Sequence, residues 1–548
     1  MMGFFNGSKK WTRKGKAMLL MLLSAAVLAS GCGGGGAKKA AGTSGGGKTT
    51  LTIGFTNAPK SFNPLSQPDA AGKFMMRMMY DSLLGQPEVN KFTNHLATSF
   101  ETKDNQTYTV KLNPKAKWTD GKPVTADDVV FTLNLIANPK VETTWGRYMK
   151  MLEGVNGSGK LTSGTAIPNL KKIDATTVQF KTKMPLDANY VKDMIGFNIL
   201  IFPKHVFEKI DPAKIAMSEE GKKPTVFSGA YKLVKYVTND HVELAANDGY
   251  ALGAPKLKKL FLKIQNGTNL VVDLKAGKVQ MIAGNGVGVV PIKDMEILKK
   301  EKNLEVKNYP SFATQFMMVN NENPELNVKF RNALVHAINR KQIVDQLYKG
   351  YAYVNPTTYT KASPAFDKDL AVQKYDPELA KKELKESGYD VNKELTLMVP
   401  IGNVQREQSA DLIQQNLKAI GLKVKIQKMD FPTLMTHNKN GDFTIMLMGV
   451  SSQEDPDYQA YYQYKSLSNF TKANDPKLTG MFEKAAYEKD SAKRIAQYKE
   501  IQKYLAETLP NIPLYGEEDF SIQSKNFVGG LKPFWAGSLD DIHMWHFK

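Results

Sequence analysis

Residues 395–427 have the sequence LTLMVPIGNVQREQSADLIQQNLKAIGLKVKIQ, and they decide the fold class. An apolar run opens this stretch, and apolar residues then recur at helical spacing as far as Gly421. Glycine readily ends a helix in the left-handed conformation. After Gly421, apolar residues alternate with lysine and glutamine in a strand pattern. A strand, a helix and a second strand in this order predict a parallel α/β sheet with a right-handed crossover.

A buried strand and a polar loop follow this unit. Residues 443–448 (FTIMLM) carry no charge, which predicts a strand that is covered on both faces. Because ligands of open α/β sheets bind beyond the carboxyl ends of strands, the loop after residue 448 is the predicted binding segment. Its glycine permits close backbone approach, its serines and glutamine offer hydrogen bonds, and its acids offer charge. The candidate ligand-binding residues in this loop are Gly449, Val450, Ser451, Ser452, Gln453, Asp455, Asp457 and Tyr458.

Structural explanations compete for the acids and the tyrosines of this loop. Asp455 and Asp457 flank Pro456, and aspartates beside a proline commonly build turns. Residues 458–464 contain four tyrosines, which supply apolar area with a polar tip and suit loose recognition of varied side chains. The same spacing suits a partly buried helix face, and this is the favoured interpretation of the tyrosines.

A second informative stretch lies nearer the amino terminus. Residues 108–112 (YTVKL) alternate like a strand, and residues 118–131 have the sequence WTDGKPVTADDVVF. The Asp-Gly pair predicts a turn, and Thr125 with Asp128 three residues later predicts a capping box at a helix start. Turn and cap account for the acids, so this stretch predicts structure rather than catalysis.

These residues resemble the solute-binding proteins of peptide and nickel ABC importers. In that family a strand ending in a basic residue and leucine precedes a Trp/Phe-x-Asp-Gly turn and an Ala-x-Asp-Val helix. Further matches follow in the family's order at residues 229–233 (GAYKL), 274–279 (LKAGKV), 328–340 (VKFRNALVHAINR), 375–389 (YDPELAKKELKESGY) and 510–515 (PNIPLY). Ala230 stands where the family usually has proline. The resemblance extends over roughly residues 50–548.

The resemblance implies an α/β protein with the two-lobed type II periplasmic-binding-protein fold of the large, cluster C kind. Lobe I is expected at residues 49–307 and again at 521–548, with an extra subdomain at about 85–215. Lobe II is expected at residues 308–520. The two lobes are expected to close on a ligand by bending at a hinge.

The resemblance also implies a ligand and a residue that binds it. In peptide-binding members the loop after the buried strand contacts the peptide, and one of its aspartates pairs with the α-ammonium group. This chain departs from the pattern at two positions, because Val450 replaces a tryptophan and Ser452 stands where enteric members have the aspartate. Asp455 or Asp457 is the expected replacement. The candidates from the loop after the first strand, which should face the same cleft, are Thr56 and Asn57.

The amino-terminal residues resemble a bacterial lipoprotein signal. Five basic residues precede a mostly apolar run at 17–30, and this run ends just before Cys32, the only cysteine in 548 residues. The run is shorter than the ~20 residues that a membrane-spanning helix needs. Ala29 stands where the family's cleavage motif usually has leucine. We expect cleavage of residues 1–31, lipidation of Cys32 and a flexible tether at 32–48, with an ordinary cleaved signal as the alternative.

The positive charge of the chain is dispersed. Lysine and arginine number 74 against 54 acids, a formal net charge of +20, which falls to +15 when residues 1–31 are removed with their five charges. Lysines alternate with acids along most predicted helices and form no dense block interleaved with aromatics, so nucleic acid is not an expected partner. Dispersed positive charge favours attraction to an anionic membrane or wall surface.

Signatures of catalysis are missing from the part of the sequence that is predicted to fold. Residues 49–548, the predicted folded body, contain no His-Glu-x-x-His, no Gly-x-Ser-x-Gly and no Walker loop. Residues 284–288 (GNGVG) resemble a phosphate loop, but VVP follows them, and a phosphate loop requires a helix N-terminus at that point. His543 and His546 are weak evidence for a metal pair. We therefore expect no enzyme activity, no cofactor and no required metal.

The observations predict a binding protein. We expect a monomeric lipoprotein on the extracytoplasmic face of the bacterial cell membrane that captures short peptides and delivers them to ABC permease subunits driven by an intracellular ATPase. Nickel or a metal chelate, an oligosaccharide, and a surface sensor that signals without transport remain alternatives. Few histidines in the predicted cleft weaken the metal alternative, and valine at position 450 weakens the sugar alternative, since sugars favour large aromatic platforms.

Overall fold

The structure is a computed structural model that describes residues 48–548 except residues 64, 66–68, 285, 453, 467 and 531. The predicted signal and tether, with Cys32, lie outside the described residues, and so does the candidate Gln453. Within the described part of the chain, none of the helices combines the length and the apolar character that a membrane span requires.

Strands form the frame of the molecule. In chain order they are β1 (Thr50–Phe55), β2 (Leu84–Glu88), β3 (Lys91–Asn94), β4 (Ala97–Thr102), β5 (Thr107–Leu112), β6 (Lys171–Lys172), β7 (Thr177–Lys181), β8 (Tyr231–Val237), β9 (His241–Ala246), β10 (Lys259–Ile264), β11 (Met281–Ile282), β12 (Leu304–Val319), β13 (Ala352–Tyr353), β14 (Glu394–Pro400), β15 (Lys423–Met429), β16 (Ile445–Ser451), β17 (Asn511–Ser524), β18 (Phe527–Val528) and β19 (His546–Phe547). The largest sheet has the order β15-β14-β16-β12-β17-β11-β1-β10-β9-β8, with β13 paired to β17 at the side. A smaller antiparallel sheet, β4-β5-β7-β6, lies within the predicted extra subdomain.

Helices connect these strands. In chain order they are α1 (Ala70–Met79), α2 (Ala126–Ala137), α3 (Ala188–Val191), α4 (Lys204–Phe207), α5 (Glu219–Lys222), α6 (Gly267–Lys275), α7 (Met295–Lys300), α8 (Val328–Ala337), α9 (Arg340–Tyr348), α10 (Pro377–Ser387), α11 (Val404–Ala419), α12 (Phe431–Asn440), α13 (Pro476–Ala486) and α14 (Ser491–Thr508). Many begin after an aspartate or asparagine whose side chain accepts a backbone N–H, as Asp376 does for α10 and Asp490 for α14. Such caps satisfy donors that the helix itself leaves without a partner.

The stretch that decides the fold class folds as predicted. β14 and β15 pair in parallel with α11 between them, and Gly421 has the positive φ of 97° expected after the helix. β16 also pairs in parallel with β14. Ile445 and Leu447 join one apolar cluster, and Met446 and Met448 join another, so β16 is covered on both faces. The predicted α/β class is confirmed.

Two long strands run through both halves of the large sheet. β12 and β17 pair antiparallel, and their register shifts between Pro310 and Thr314. On one side of the shift β17 adjoins β11, and on the other side β12 adjoins β16. One apolar core contains Leu51 and Trp118, whereas a separate core contains Phe330. We use lobe I and lobe II for the two halves, with the residue bounds predicted above.

Local predictions at two helix starts have different outcomes. The capping box is confirmed, because the Thr125 amide donates to Asp128 Oδ2 at 2.8 Å just before α2. The methionine-rich run at residues 75–84 (MMRMMYDSLL) predicts an apolar core helix, and its bounds are wrong, since α1 begins and ends five residues earlier. The physical reason is the Asp69 cap, whose side chain accepts the Gly72 amide at 2.8 Å and starts the helix. Its predicted core character is right, because most of α1 is buried.

Candidate functional site

A cavity of about 1440 Å³ lies between lobe I and lobe II. Lobe I contributes residues around 147–151 and 183–194, and lobe II contributes residues from the loop after β16. β12 and β17 contribute residues 309–313 and 517–520, next to the point where their register shifts. The volume exceeds the ~300–1,000 Å³ of ordinary small-molecule pockets. The cavity therefore has room for an extended ligand.

The structure brings half of the predicted loop candidates to the cavity wall. These residues are Ser451, Ser452, Asp457 and Tyr458. The Ser452 amide donates to the Phe312 carbonyl at 3.0 Å, which joins the loop to β12. The Tyr458 ring stacks on Tyr359 with centroids 4.5 Å apart, and burial raises the pKa of Tyr458 above its ordinary value. Stacking and backbone pairing thus fix the orientation of this wall.

Gly449 and Val450 lie within β16 and away from the cavity lining. Both pair with β12, Gly449 opposite Gln315. A Cβ atom at Gly449 would lie 2.3 Å from Gln315 Nε2, so the close approach that needs glycine here is made by the protein's own side chain. Val450 packs against the methionine-rich cluster of lobe II. The structure gives these two candidates internal contacts.

Asp455 is buried in an ion pair inside lobe II. The Arg494 guanidinium on α14 donates to it from both terminal nitrogens, with Nη1–Oδ2 at 2.7 Å and Nη2–Oδ1 at 2.9 Å. Arg494 also lies 4.9 Å from the centroid of the Tyr190 ring, which belongs to lobe I. Burial alone would lower the pKa of Arg494, but the Asp455 carboxylate raises it well above its ordinary value. A role for Asp455 in ligand binding stays a prediction.

Asp457 lines the cavity and joins the two lobes. Lys150 Nζ of lobe I lies 3.2 Å from Asp457 Oδ2 of lobe II. The Asp457 side chain is 3% exposed and the Lys150 side chain 41% exposed. The Tyr190 side chain and the Asp457 carboxylate raise the pKa of Lys150, against the lowering effect of burial. Asp457 thus meets a lobe I cation across the cleft.

Thr56 and Asn57 hold a neighbouring loop rather than line the cavity. Thr56 Oγ1 donates to the Val287 carbonyl at 2.8 Å and accepts the Val289 amide at 3.1 Å. Asn57 Nδ2 donates to the Gly286 carbonyl at 3.4 Å. In the described part of this loop, residues 286 and 288–292 line the cavity. These two candidates therefore support the wall from behind.

Sequence analysis missed the importance of that loop. Its sequence resembles only a phosphate loop, whereas its position at the cavity follows from the parallel pairing of β11 with β1. Gly288 packs against backbone, since a Cβ atom there would lie 2.6 Å from the Gly54 carbonyl oxygen. In the sequence, the closely spaced glycines of residues 284–288 are the feature that indicates such a close approach between backbone segments.

Glu454 and Trp535 are a second feature that the sequence did not reveal. Both line the cavity, and Trp535 Nε1 donates to Glu454 Oε1 at 3.3 Å. Lys73 Nζ lies 4.8 Å from the centroid of the Trp535 ring. Trp535 belongs to the carboxyl-terminal return into lobe I, so this contact also crosses the cleft. The only sequence signal was a tryptophan in a segment bounded by proline and glycine.

The cavity wall carries both signs of charge and many aromatic rings. The basic residues are Lys73, Arg147, Lys150, Lys183 and Lys361. The acidic residues are Glu88, Glu454, Asp457, Glu517, Glu518 and Asp519. The aromatic residues are Tyr148, Tyr190, Tyr309, Phe312, Tyr348, Tyr351, Tyr458, Tyr461, Tyr487, Phe520, Phe534 and Trp535. Such a wall can bind a ligand that has an ammonium group, a carboxylate and apolar parts.

The described residues offer no metal centre. They contain no group of three or more His, Cys, Asp or Glu side chains placed to hold a metal ion. His543 packs edge-on against Tyr250, with ring centroids 5.7 Å apart. His546 lies in β19 and its Nδ1 is 2.9 Å from the Met544 carbonyl. Both histidines of the weak metal pair thus have contacts within the protein.

The two-lobed α/β fold with a large cavity between its lobes defines a solute-binding protein. The chain belongs to the bacterial extracellular solute-binding proteins, family 5, whose model matches residues 91–472. It is 28% identical over 519 residues to the oligopeptide-binding protein AppA of Bacillus subtilis, covering 90% of this chain and 91% of AppA. The predicted family and two-lobed fold are confirmed.

Solved structures agree with this assignment. AppA from Bacillus subtilis, in complex with a nonapeptide, has a TM-score of 0.74 at 26% identity, covering 91% of this chain and 99% of AppA. The ABC transporter substrate-binding protein CtaP of Listeria monocytogenes has a TM-score of 0.79 at 27% identity, with coverage of 91% and 99%. NikZ of Campylobacter jejuni, in complex with Ni(L-His), has a TM-score of 0.74 at 22% identity, with coverage of 91% and 99%. The NikZ likeness shows a shared fold.

Proposed function

We propose that this chain is the substrate-binding lipoprotein of an ABC importer, which captures short peptides outside the cell and delivers them to a membrane permease. The observation that carries the proposal is the cavity of about 1440 Å³, whose wall combines both signs of charge with aromatic rings. A peptide has an ammonium group, a carboxylate and varied side chains, and this wall offers a partner for each. The nonapeptide held by the related AppA supports this ligand class.

Peptide recognition of this kind depends on the main chain. Extended peptides are held by strand-like hydrogen bonds, and pockets for alternate side chains add selectivity. Three aromatic side chains face the cavity near the register shift: Tyr309 and Phe312 of β12, and Phe520 of β17. They offer flat surfaces for varied peptide side chains. Water in a roomy cavity completes the hydrogen bonds of side chains that differ from one peptide to the next.

Closure of the lobes is part of the proposal. Besides the Lys150–Asp457 pair, the Ser491 hydroxyl on α14 donates to Asp187 Oδ1 of lobe I at 2.7 Å. Contacts of this length require the lobes to be close together, so an open form has to break them. We place the hinge in β12 and β17 at their register shift and the lobe bounds at residues 307/308 and 520/521. The closed form is the one presented to the permease.

The proposed location of the protein is supported by the amino-terminal sequence. Acylation of Cys32 and the tether at residues 32–48 would hold the folded body at the extracytoplasmic face of the cell membrane. One acyl chain binds a membrane only marginally, so a stable anchor requires more than one chain or added electrostatic attraction. The net charge of +15 after removal of residues 1–31 supplies such attraction to anionic lipids. We expect a monomer without catalytic activity.

Native mass spectrometry of the protein as purified tests the ligand class. Adducts that fragment into a family of short peptides support peptide capture and show the preferred length. A single metal-chelate or sugar adduct would overturn it in favour of those alternatives. If the protein is free of ligand, a melting screen with peptides, nickel–histidine and oligosaccharides decides, because the ligand that binds the folded state raises Tm.

A strain that lacks the gene for this protein distinguishes a transport function from a sensing function. Loss of peptide uptake on deletion, restored by the wild-type chain, supports the importer. Unchanged uptake with a lost transcriptional response to peptide would instead show a surface sensor. Labelled peptides incubated with the protein should remain intact, and cleavage would contradict a pure binding role.

A further inference from the structure

A small side cavity of about 30 Å³ adjoins the main cavity. Three cationic side chains line it, Lys73 and Arg77 from α1 and Arg147 from the turn of helix at Gly146–Met149. Lys73 and Arg147 also line the main cavity. Lys73 and Arg147 are therefore accessible to a ligand in the main cavity, and Arg77 shares the side cavity with them.

These cations are held in place by neutral groups. Arg77 Nη2 donates to the Phe197 carbonyl at 2.9 Å, and its guanidinium lies 3.8 Å from the centroid of the Phe197 ring. Lys73 lies over the Trp535 ring, and Arg147 Nη2 donates to the Tyr148 hydroxyl at 2.7 Å. Carbonyls, hydroxyls and ring faces orient a cation without cancelling its charge.

Carboxylates do not neutralise the group. Among the described residues, none has a carboxylate oxygen within 4.0 Å of the cationic nitrogens of Lys73, Arg77 or Arg147. The contrast with two neighbouring cations is clear, since Lys150 pairs with Asp457 and Arg494 with Asp455. The cations of the side cavity have charge left for another partner.

The nearest acids add little compensation. Glu454 is hydrogen-bonded to the Trp535 indole and acts on the arginines only at longer range. Burial, with a further contribution from Glu454, raises the pKa of Asp193 well above its ordinary value, which disfavours its charged form. Burial lowers the pKa of Arg77 to about 10, so Arg77 remains protonated at neutral pH. Positive charge is in excess at this point.

From this geometry we propose that Lys73, Arg77 and Arg147 form a carboxylate-binding subsite beside the peptide cavity. The proposal rests on the proposed function, because the carboxylate belongs to the bound peptide. Guanidinium groups match a carboxylate with two parallel hydrogen bonds, and a lysine adds a point charge. A side cavity of about 30 Å³ has room for a water molecule and so for the tip of a carboxylate, but not for a whole residue. The carboxylate comes either from the peptide's carboxyl terminus or from an aspartate or glutamate side chain.

The test uses full-length protein in detergent, dialysed against two pools of random pentapeptides. One pool has free terminal carboxylates and the other has terminal amides, and bound peptides are sequenced by mass spectrometry. Wild type is compared with Arg147→Met, whose side chain is exposed to the cavity, and with Lys73→Met. The control Lys341→Met removes an exposed lysine of α9 that does not line the cavity.

Two outcomes support the subsite, and they distinguish the sources of the carboxylate. Selection of acids over amides by tenfold or more in wild type and control, falling below threefold in both cavity variants, assigns the terminal carboxylate. Enrichment of aspartate or glutamate in peptides bound from the amide pool, lost in both variants, assigns a side chain. Peptide binding with neither selection, or selection that survives in both variants, overturns the subsite and leaves peptide capture intact.

Failure of the proposed function gives a different result. If the wild type binds neither pool, peptide capture fails, and acetate becomes the probe at constant ionic strength. A rise of Tm with acetate in the wild type that Arg147→Met and Lys73→Met abolish supports the carboxylate site. An equal rise in wild type and variants, or no rise, overturns it.

Discussion

Arg494 and Asp455 form a two-point ion pair, with Nη1 2.7 Å from Oδ2 and Nη2 2.9 Å from Oδ1. Both side chains are only 4% exposed. The pair joins α14 to the loop after β16, and Arg494 also lies 5.2 Å from the centroid of the Tyr498 ring. The carboxylate predicted to meet a peptide's ammonium group thus has a buried partner within the protein.

Removal of this carboxylate should destabilise the protein. Asp455→Ala leaves buried Arg494 with only the more distant Asp187 carboxylate, 3.9 Å from Nη1. Breaking a buried pair from one side costs about 3–5 kcal/mol, and we expect a loss up to this size. Urea unfolding measures the loss. The double variant Asp455→Ala/Arg494→Met should recover part of it, because it removes the buried charge as well. Normal stability of Asp455→Ala together with a loss of peptide affinity of more than tenfold would instead assign Asp455 to the ligand.

The Lys150–Asp457 pair should favour the closed form. Asp457→Asn keeps the shape of the side chain but removes the charge attraction across the cleft. We expect peptide Kd to rise about tenfold, or ~1.4 kcal/mol. We also expect a weaker dependence of Kd on salt than in the wild type, since the remaining hydrogen bond is less sensitive to screening.

Titration calorimetry at two salt concentrations and small-angle scattering check this prediction. Asp345→Asn, which breaks the exposed Lys341–Asp345 pair outside the cavity lining, is the matched control. Equal Kd values and equal radii of gyration for Asp457→Asn and the control would show that the pair does not hold the lobes together.

The elements of lobe II were predictable because their signals are local. β14 is an apolar run, α11 has apolar residues at helical spacing, β15 alternates like a strand, and Gly421 marks the helix end. The bounds of α1 were missed because the Asp69 cap, and not the methionine run, sets where the helix starts. Apolar pattern predicts which residues are buried more reliably than it predicts where an element begins.

The site was less predictable because its contacts join distant parts of the chain. The polar loop after β16 was found from the rule that ligands bind beyond strand ends. Its partners lie far away in sequence, since Asp457 meets Lys150, 307 residues distant, and Glu454 meets Trp535, 81 residues distant. Helix and strand periods relate only residues that are close in sequence. Charge pairs and cavity walls built from distant residues are therefore identified only from the folded structure.

Trp535 should contribute to ligand affinity through its indole nitrogen. Trp535→Phe removes the donor to Glu454, a hydrogen bond to a charged group worth about 1.5–3 kcal/mol, while keeping a ring under Lys73. We expect a rise of peptide Kd of at least threefold, measured by calorimetry. Trp118→Phe is the control, because the Trp118 indole nitrogen is buried without a hydrogen-bond partner in the described residues. Equal Kd values for both variants would contradict the prediction.

Cys32 should decide where the protein is found. Cys32→Ala removes the only thiol that can be acylated, so the variant should be released from the membrane into the surrounding medium or periplasm. Cell fractionation and labelling with a fatty-acid analogue measure anchoring and acylation together. Ala29→Leu restores the usual leucine of the cleavage motif and should leave anchoring intact. Membrane retention of Cys32→Ala would count against lipidation.

His95 links the carboxyl-terminal segment, which contains Asp540, to the rest of lobe I, which contains Asp81. Its Nδ1 lies 2.6 Å from Asp81 Oδ1, and its Nε2 lies 3.2 Å from Asp540 Oδ1. The Tyr250 hydroxyl donates to the other Asp81 oxygen at 3.0 Å. Burial alone would lower the pKa of His95, but the two carboxylates raise it to about 10. The charged form of His95 is therefore the one that the folded protein stabilises.

Stability should fall in alkaline solution because of this histidine. The folded pKa of about 10 lies above the ordinary value of about 6.5, so the stabilisation is complete below pH ~6.5 and is lost as pH rises towards 10. Each tenfold difference in proton affinity corresponds to about 1.4 kcal/mol, which gives a change of a few kcal/mol over this interval. We expect the difference in unfolding free energy between wild type and His95→Gln to be large at pH 6 and to shrink by pH 10. Asp540→Asn, which removes one of the two carboxylates, should show part of the same trend. A difference that is constant across pH would mean that His95 stabilises the fold through packing and neutral hydrogen bonds, without its charge.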